Sequence, residues 1–199
     1  LLLNNDTEAV NSNWLKEMVS QVSRPEVGIV GALLTFNDGT IQHAGVNPSS
    51  EGFMIHSHKH WEGDSPGYFG RLRSSHEVAA VTGACLAIET KDWEALNGLD
   101  EENLGVAYND IDLCLKARSA GLKIIFTPHA KLTHQESSTR GLDNTPQKMT
   151  RLNTELAVIK NRWGQQLDED PAYNPNLSNE KTSFKHLSDP PRTKPLWKL

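Results

Sequence analysis

Cysteine is scarce in this chain: two residues among 199, Cys85 and Cys114, each inside an apolar stretch. That excludes a disulfide-framed mini-domain and reads as two reduced core thiols of a cytoplasmic protein. Long apolar runs are also lacking, and none approaches the roughly 20 residues of a membrane helix. Positive charge is in deficit, with a net charge of −5, which argues against nucleic acid as a partner. There is no initiator methionine and no basic n-region of a signal peptide, so the opening LLLNNDTEAV reads as the end of a buried strand within something longer. What is present, 37% hydrophobic and 23% charged residues, fits a soluble globular domain large enough for a real core. No internal repeat is found.

The hydrophobic pattern alternates between helix and strand. SNWLKEMVSQV places Leu15, Met18, Val19 and Val22 on one helical face, with Ser12 or Asn13 as cap and Pro25 as terminator. VGIVGALLTF is apolar throughout, as a strand buried on both faces should be, and NDG turns it back into TIQHAGV as a hairpin. Residues 47–75 are rich in His, Gly, Ser and aromatics without periodicity and read as a functional loop. EVAAVTGACLAIE reads as a second buried strand, with Gly83 and Ala84 leaving room for a close approach. Thr90 then caps a short helix ended by Gly98. A helix from Asp110 follows, burying Leu113, Cys114 and Ala117 and closed at Gly121. LKIIFTP is a strand stopped by Pro128. In TPQKMTRLNTELAVIKNRWG, Thr145 caps a helix with an apolar stripe of Met149, Leu152, Leu156 and Ile159, and Gly164 stops it. Residues 168–199 read as an extended Pro/Asn-rich surface tail behind a domain of 1–167.

Three polar groups follow strand-like segments: Asn4, Asn5 and Asp6 in LNNDTE, Asp110 in YNDID, and His134 in KLTHQESS. Ligands of open α/β sheets collect beyond the carboxyl ends of strands, so these are candidates for one cleft. Asp and His side chains with water and phosphate suit Mn²⁺ or Mg²⁺. Asp110 and Asp112 admit two readings: acidic residues favoured at a helix N-terminus, or a catalytic base. Asp112 can also pair with Lys116 at helical spacing.

The segments LLLNNDTE, VGIVGALLTFNDGTIQHAGV, VTGACLAIETKDWEALNGLDE, YNDIDLCLKARSAGLKIIFTPHAKLTHQESS and DPAYNPNLS occur in the order seen in family-2 glycosyltransferases. From Leu3 to Ser178 the chain resembles the C-terminal two-thirds of such an enzyme, of the rhamnosyltransferase-like kind in bacterial polysaccharide, O-antigen and cell-wall assembly. The resemblance implies an α/β GT-A fold, a mixed sheet flanked by helices, whose N-terminal nucleotide-binding half is missing. It implies a cytoplasmic enzyme at, or peripherally associated with, the inner face of the plasma membrane. Its donor would be a UDP-, GDP- or dTDP-sugar, its acceptor a glycan or lipid-linked sugar, and its cofactor Mn²⁺ or Mg²⁺. NND stands at the Asp-x-Asp motif, which makes Asp6 a metal ligand and puts Asn4 and Asn5 against the donor. Asn109–Asp110 stands at the Glu-Asp motif, which makes Asp110 the base. His134 falls on a further metal ligand. Thr82, Gly83 and Ala84, with Asn109 and Trp61, would line the acceptor and sugar pocket. NGLD replaces the more usual Gly-Gly-Phe-Asp. His56, His58 and His60 lack the spacing of a closed zinc site and are read as part of an acceptor-side loop, where Trp61, Tyr68 and Phe69 can stack on sugars. Two rival readings are a metal-dependent hydrolase using Asp6, Asp110 and His134, and a non-catalytic carbohydrate-binding remnant. As an isolated fragment the chain is expected to be inactive.

Overall fold

The computed structural model describes residues 1–48, 54–135, 145–168, 170–178 and 183–190. Its centre is a pair of strands, β3 (Val27–Thr35) and β9 (Lys123–His134), hydrogen-bonded in parallel. All nine residues of β3 are buried, as the continuous apolar run requires of a strand covered on both faces. Around this pair the sheet is antiparallel. β8 (Cys85–Ile88) lies on the other side of β3, β1 (Leu2–Leu3) pairs with β8, and β2 (Thr7–Ala9) pairs with β9. β4 (Ile41–His43) folds back on β3 as the expected hairpin, and β7 (His76–Glu77) adds to β9. A separate small ribbon joins β5 (Val46–Pro48) to β6 (Met54–His56).

Side chains of β3 alternate between two cores. Val30, Ala32 and Leu34 pack with Met18 and Val22 of α1 (Trp14–Val22), while Ile29 and Leu33 share a core with Leu113, Cys114, Leu115 and Ala117 of α3 (Asn109–Ser119). Ile159 of α4 (Pro146–Asp168) joins the second core. A short α2 (Thr90–Ala95) lies between β8 and the loop leading to α3. The result is a mixed α/β sheet flanked by helices. Both cysteines are buried and free; burial pushes the Cys85 thiol up to about 12.

Several boundaries differ from the sequence reading. Pro128 does not stop its strand: β9 continues to His134, and the pairing with β3 skips from Thr127 to Lys131. A residue without an N–H is tolerated in a central strand at such an irregularity, where no ladder bond is required. Gly164 does not end α4, which runs on to Asp168, and a Cβ there would meet nothing within 4 Å. On α1 only half of the expected face is inward, since Leu15 and Val19 are exposed beside buried Met18 and Val22. Met149 of α4 is likewise exposed. Glu89 rather than Thr90 occupies the cap of α2. EVAAVTGACLAIE is not one strand but β7, a buried turn and β8.

Among the described residues the Pro/Asn-rich tail has no helix beyond Asp168, yet it is not all surface coil. Tyr173, Leu177 and Phe184 form a third buried cluster against Tyr68 of the 3-10 turn Tyr68–Arg73. Phe184 stacks on His58 at 4.7 Å and on Tyr68 at 5.1 Å between ring centres. Aromatic area this large is better buried than hydrated, whatever the local propensity for coil. Burial holds His58 down at about 4, helped by nearby Arg71 and His76, so the ring in this sandwich is neutral.

The second aspartate of α3 anchors α4. Asp112 is fully buried, and its Oδ1 accepts hydrogen bonds from Arg162 Nη1 at 2.7 Å and Trp163 Nε1 at 2.8 Å. Its Oδ2 pairs with Lys116 at 2.9 Å, the helical pairing expected from sequence. Arg162 also reaches Asp100 at 2.8 Å, which holds that carboxyl down at about 2. Removing a partner from a buried ion cluster leaves uncompensated charge. Asp112→Ala should therefore lower the unfolding free energy by about 3 kcal/mol or more. Urea denaturation of both proteins measures this, and a loss under about 1 kcal/mol would put the cluster in the class of surface pairs.

Candidate active site

Strand register brings the first candidates together. Thr7 faces His134 across β2 and β9, and the Gln135 N–H donates to the Asp6 carbonyl at 2.9 Å. Residues 130 apart in sequence thereby meet at one strand end. His134 Nε2 lies 3.2 Å from Asp6 Oδ1 and 3.2 Å from Asn4 Nδ2. Its other nitrogen, Nδ1, donates to Gln42 Oε1 at 2.7 Å, and the Gln42 amide returns a bond to the His134 carbonyl at 3.3 Å. An amide oxygen only accepts, so the Nδ1 proton is fixed. Nε2 is thereby left facing Asp6 and the amide of Asn4.

Asp110 lies in the first turn of α3, where left-handed Tyr108 (φ 62°) brings the chain into the helix. Its Oδ2 accepts the Gly83 N–H at 2.8 Å, and its Oδ1 accepts the Ile111 N–H at 2.8 Å. The residue keeps some access to solvent, yet its carboxyl sits deep among protein atoms. Burial dominates and raises the pKa; the N–H groups of Gly83 and Ile111 and the Thr82 hydroxyl oppose it. The Gly83 and Ile111 amides take one lone pair on each carboxylate oxygen, and the Thr82 hydroxyl competes with a substrate hydroxyl for the rest.

The turn Thr82–Gly83–Ala84 joins these two centres. Gly83 holds Asp110, and the next carbonyl, that of Ala84, accepts the Asn4 N–H at 2.9 Å. The turn itself is pressed onto the sheet. A Cβ on Gly31 of β3 would lie 2.4 Å from the Val81 Cβ, so only glycine permits this approach. The Val46 N–H donates to the Ala80 carbonyl at 2.8 Å, and the Val81 N–H reaches Cys114 Sγ at 3.5 Å.

Thus Asn4, Asp6, His134, Thr82, Gly83, Ala84 and Asp110 are connected. Asn5 is exposed next to them, and Asn109 opens α3 beside Asp110, half-buried. Trp61 makes none of these contacts. Its carbonyl accepts the Ile41 N–H and its ring meets His58 edge-on at 5.0 Å, packed against the main core. Of the three alternating histidines, His56 turns to His43, His58 to Phe184, and His60 stacks on Phe36 at 5.2 Å. Tyr68 is engaged by Phe184, whereas Phe69 is 91% exposed. Gln42 and His43 carried no role in the sequence reading; buried polar residues in QHAG beside an apolar strand were the available signal. Among the described residues, no group of three or more His, Cys, Asp or Glu side chains forms a metal cage, and no helix is long and apolar enough to cross a membrane.

Residues 2–154 match the family described as glycosyltransferase like family 2. The chain belongs to that family. Similar curated proteins include an uncharacterized protein of Sinorhizobium fredii, y4gI, 47% identical over 92% of this chain and 20% of the relative. Another is the O-antigen biosynthesis protein RfbC of Myxococcus xanthus, 38% identical over 89% of this chain and 14% of the relative. The chain thus spans about a fifth or less of the curated relatives it matches. A mixed sheet flanked by helices in a family-2 glycosyltransferase domain is a GT-A architecture.

The close packing of β3 on the central turn yields a direct check. Gly31→Ala should cost about 1–3 kcal/mol through overpacking against Val81, and should speed amide exchange at Gly83. Denaturation and hydrogen exchange read the two effects; wild-type values for both would mean that Val81 and its turn are free to slide.

Proposed function

We propose that the chain forms the catalytic part of an inverting glycosyltransferase that moves a sugar from a nucleotide-diphosphate donor to a glycan or lipid-linked acceptor. The observation that carries this reading is the linkage of Asp110 to the Asp6–His134 pair through one turn, within a family-2 domain. In the proposed reaction Asp110 accepts the acceptor hydroxyl proton as the oxygen attacks the anomeric carbon. The new glycosidic bond forms from one face while the bond to the diphosphate breaks on the other, so the anomeric centre inverts. Positioned bases contribute roughly 10²–10⁴-fold to such steps. Thr82, Gly83 and Ala84 border the place between base and donor. The catalytic unit is assigned to residues 1–167, with 168–199 as an extension.

The donor set at Asp6 and His134 fits a divalent ion. His134 Nε2 and an Asp6 carboxylate oxygen lie side by side, Gln42 orients the ring from its other nitrogen, a metal would take the place of the Asn4 amide at Nε2, and two protein ligands leave positions for diphosphate and water. When bound there, Mn²⁺ or Mg²⁺ would neutralise charge developing on the leaving diphosphate. The name of the Myxococcus relative supports O-antigen or related polysaccharide assembly as the setting. A cytoplasmic enzyme with peripheral contact to the inner membrane face would meet both substrates there.

Asp110→Asn, in the protein that carries this chain, should reduce turnover by about two orders of magnitude or more while leaving donor affinity nearly unchanged. A panel of UDP-, GDP- and dTDP-sugars with Mn²⁺, with and without glycan acceptors, identifies the assay. Sugar release that ignores the acceptor would favour a hydrolase, and glycan binding without nucleotide dependence a binding module. Since burial raises the Asp110 pKa, the acidic limb of kcat/KM should lie above the ordinary carboxylate value of 3.8. Activity is lost as pH falls through that raised value, because only the ionised form is a base.

The metal reading has its own check. Asp6→Ala and His134→Ala should each weaken Mn²⁺-dependent donor binding at least about tenfold, measured by titration calorimetry. Unchanged metal dependence in His134→Ala would remove His134 from the ligand set.

A further inference from the structure

His43 is a buried histidine for which the reaction as proposed has no use. It ends β4, is 1% exposed, and lies under the turn that joins base to donor. Its Nε2 accepts two backbone N–H groups, from Gly45 at 3.3 Å and from Thr82 at 3.4 Å. A nitrogen receiving two donors must carry its lone pair, so the His43 proton resides on Nδ1. Nδ1 in turn lies 2.9 Å from His56 Nδ1 and donates to it, which places the His56 proton on Nε2. The two rings form a directed relay from β6 through β4 to Thr82. Burial, with His56 and His134 nearby, keeps His43 well below the ordinary histidine range and therefore neutral.

We propose that His43 is a positioning residue for the base: through Nε2 it fixes the backbone at Thr82, and so aims the adjacent Gly83 N–H at Asp110 Oδ2. The peptide plane between Thr82 and Gly83 cannot rotate freely when the N–H on one side of Thr82 is tied to His43 and the N–H on the other to Asp110. The other bonds on the turn lie at Ala80 and Val81 behind it and at Ala84 ahead of it, where the Ala84 N–H meets the Thr82 hydroxyl and the Ala84 carbonyl accepts from Asn4; none of them holds the Thr82 N–H. Without an acceptor at His43, the Thr82 N–H must seek another partner, and a turn that reorients for that purpose carries Gly83 with it. The Gly83 bond is one of those that lower the Asp110 pKa against burial, so a loosened turn shifts Asp110 further toward the neutral acid. The groups facing the Asp110 carboxyl are the Thr82 hydroxyl, the Gly83 and Ile111 amides and the Cys114 thiol; burial pushes that thiol far up, so none of them titrates with Asp110.

This inference rests on reading Asp110 as the base, but its tests follow the hold on the carboxylate and not turnover. Nitrogen-15 spectra of the wild-type chain should show His43 Nε2 unprotonated from pH 5 to 8; a protonated Nε2 overturns the proposal without any variant. In His43→Leu, the Gly83 amide proton should lose the downfield shift of its carboxylate bond. The carbon-13 titration midpoint of Asp110 should rise by about half a unit or more. In His43→Gln the amide oxygen reaches toward the Nε2 position and should restore both signals in large part. An unchanged Gly83 shift and Asp110 midpoint in a folded His43→Leu protein overturns the proposal, as does a His43→Gln protein no better than leucine. Failure of Asp110→Asn to affect turnover would instead remove the base assignment and leave these spectra as they are.

Discussion

The parallel pairing of β3 with β9 is the constraint on which the rest of the structure depends. Parallel neighbours need a long connection, and here it spans everything from Phe36 to Leu122, including β4, the β5–β6 ribbon, the central turn and α3. Burial of β3 on both faces fixes its register, since a slip of one residue would exchange the α1 core for the α3 core. With that register set, the far end of β9 delivers His134 to Asp6, and the near end places β7 and the turn after it over Gly31. Skipping Pro128–Ala130 in the ladder lets β9 extend to His134 at all.

The two acidic residues of α3 divide the work that their sequence spacing leaves ambiguous. Asp112 lies where Arg162, Trp163 and Lys116 converge, three donors that consume a carboxylate in holding two helices together. Asp110 meets backbone amides and a hydroxyl but no cation among these contacts. Burial without a counter-ion raises a pKa, whereas cationic partners commit a carboxylate to structure. Identical chemistry two positions apart thus acquires opposite surroundings from its neighbours alone, and the proposed base is the carboxylate that no cation claims.

Much of this was legible in the sequence. The apolar run of β3, the NDG hairpin, α3 with its start near Asp110 and the Thr145 cap of α4 follow from local pattern, and each is present. The order of five segments pointed to the family, and the family matches. What escaped depends on distant partners. Nothing near Pro128 shows that β3 will tolerate a skipped pair, and nothing near Gly164 shows that Arg162 and Trp163 will be pinned by Asp112. The edge contact of Trp61 with His58 likewise joins rings that no periodicity in their loop pairs. His43 and Gln42 were passed over because a single buried polar residue has no periodicity to betray it.

The aromatic sandwich of His58, Tyr68 and Phe184 has a consequence in time. Synthesis proceeds from the N-terminus, so the loop carrying His58 and Tyr68 leaves the ribosome more than a hundred residues before the ring that covers both. At the usual rates of about 5–20 residues per second, that interval lasts several seconds, longer than small domains take to fold. The sheet can form once β9 has emerged, whereas the middle loop stays uncapped until Phe184 arrives. The nascent chain therefore passes through an interval in which its sheet is built and that aromatic surface lies bare.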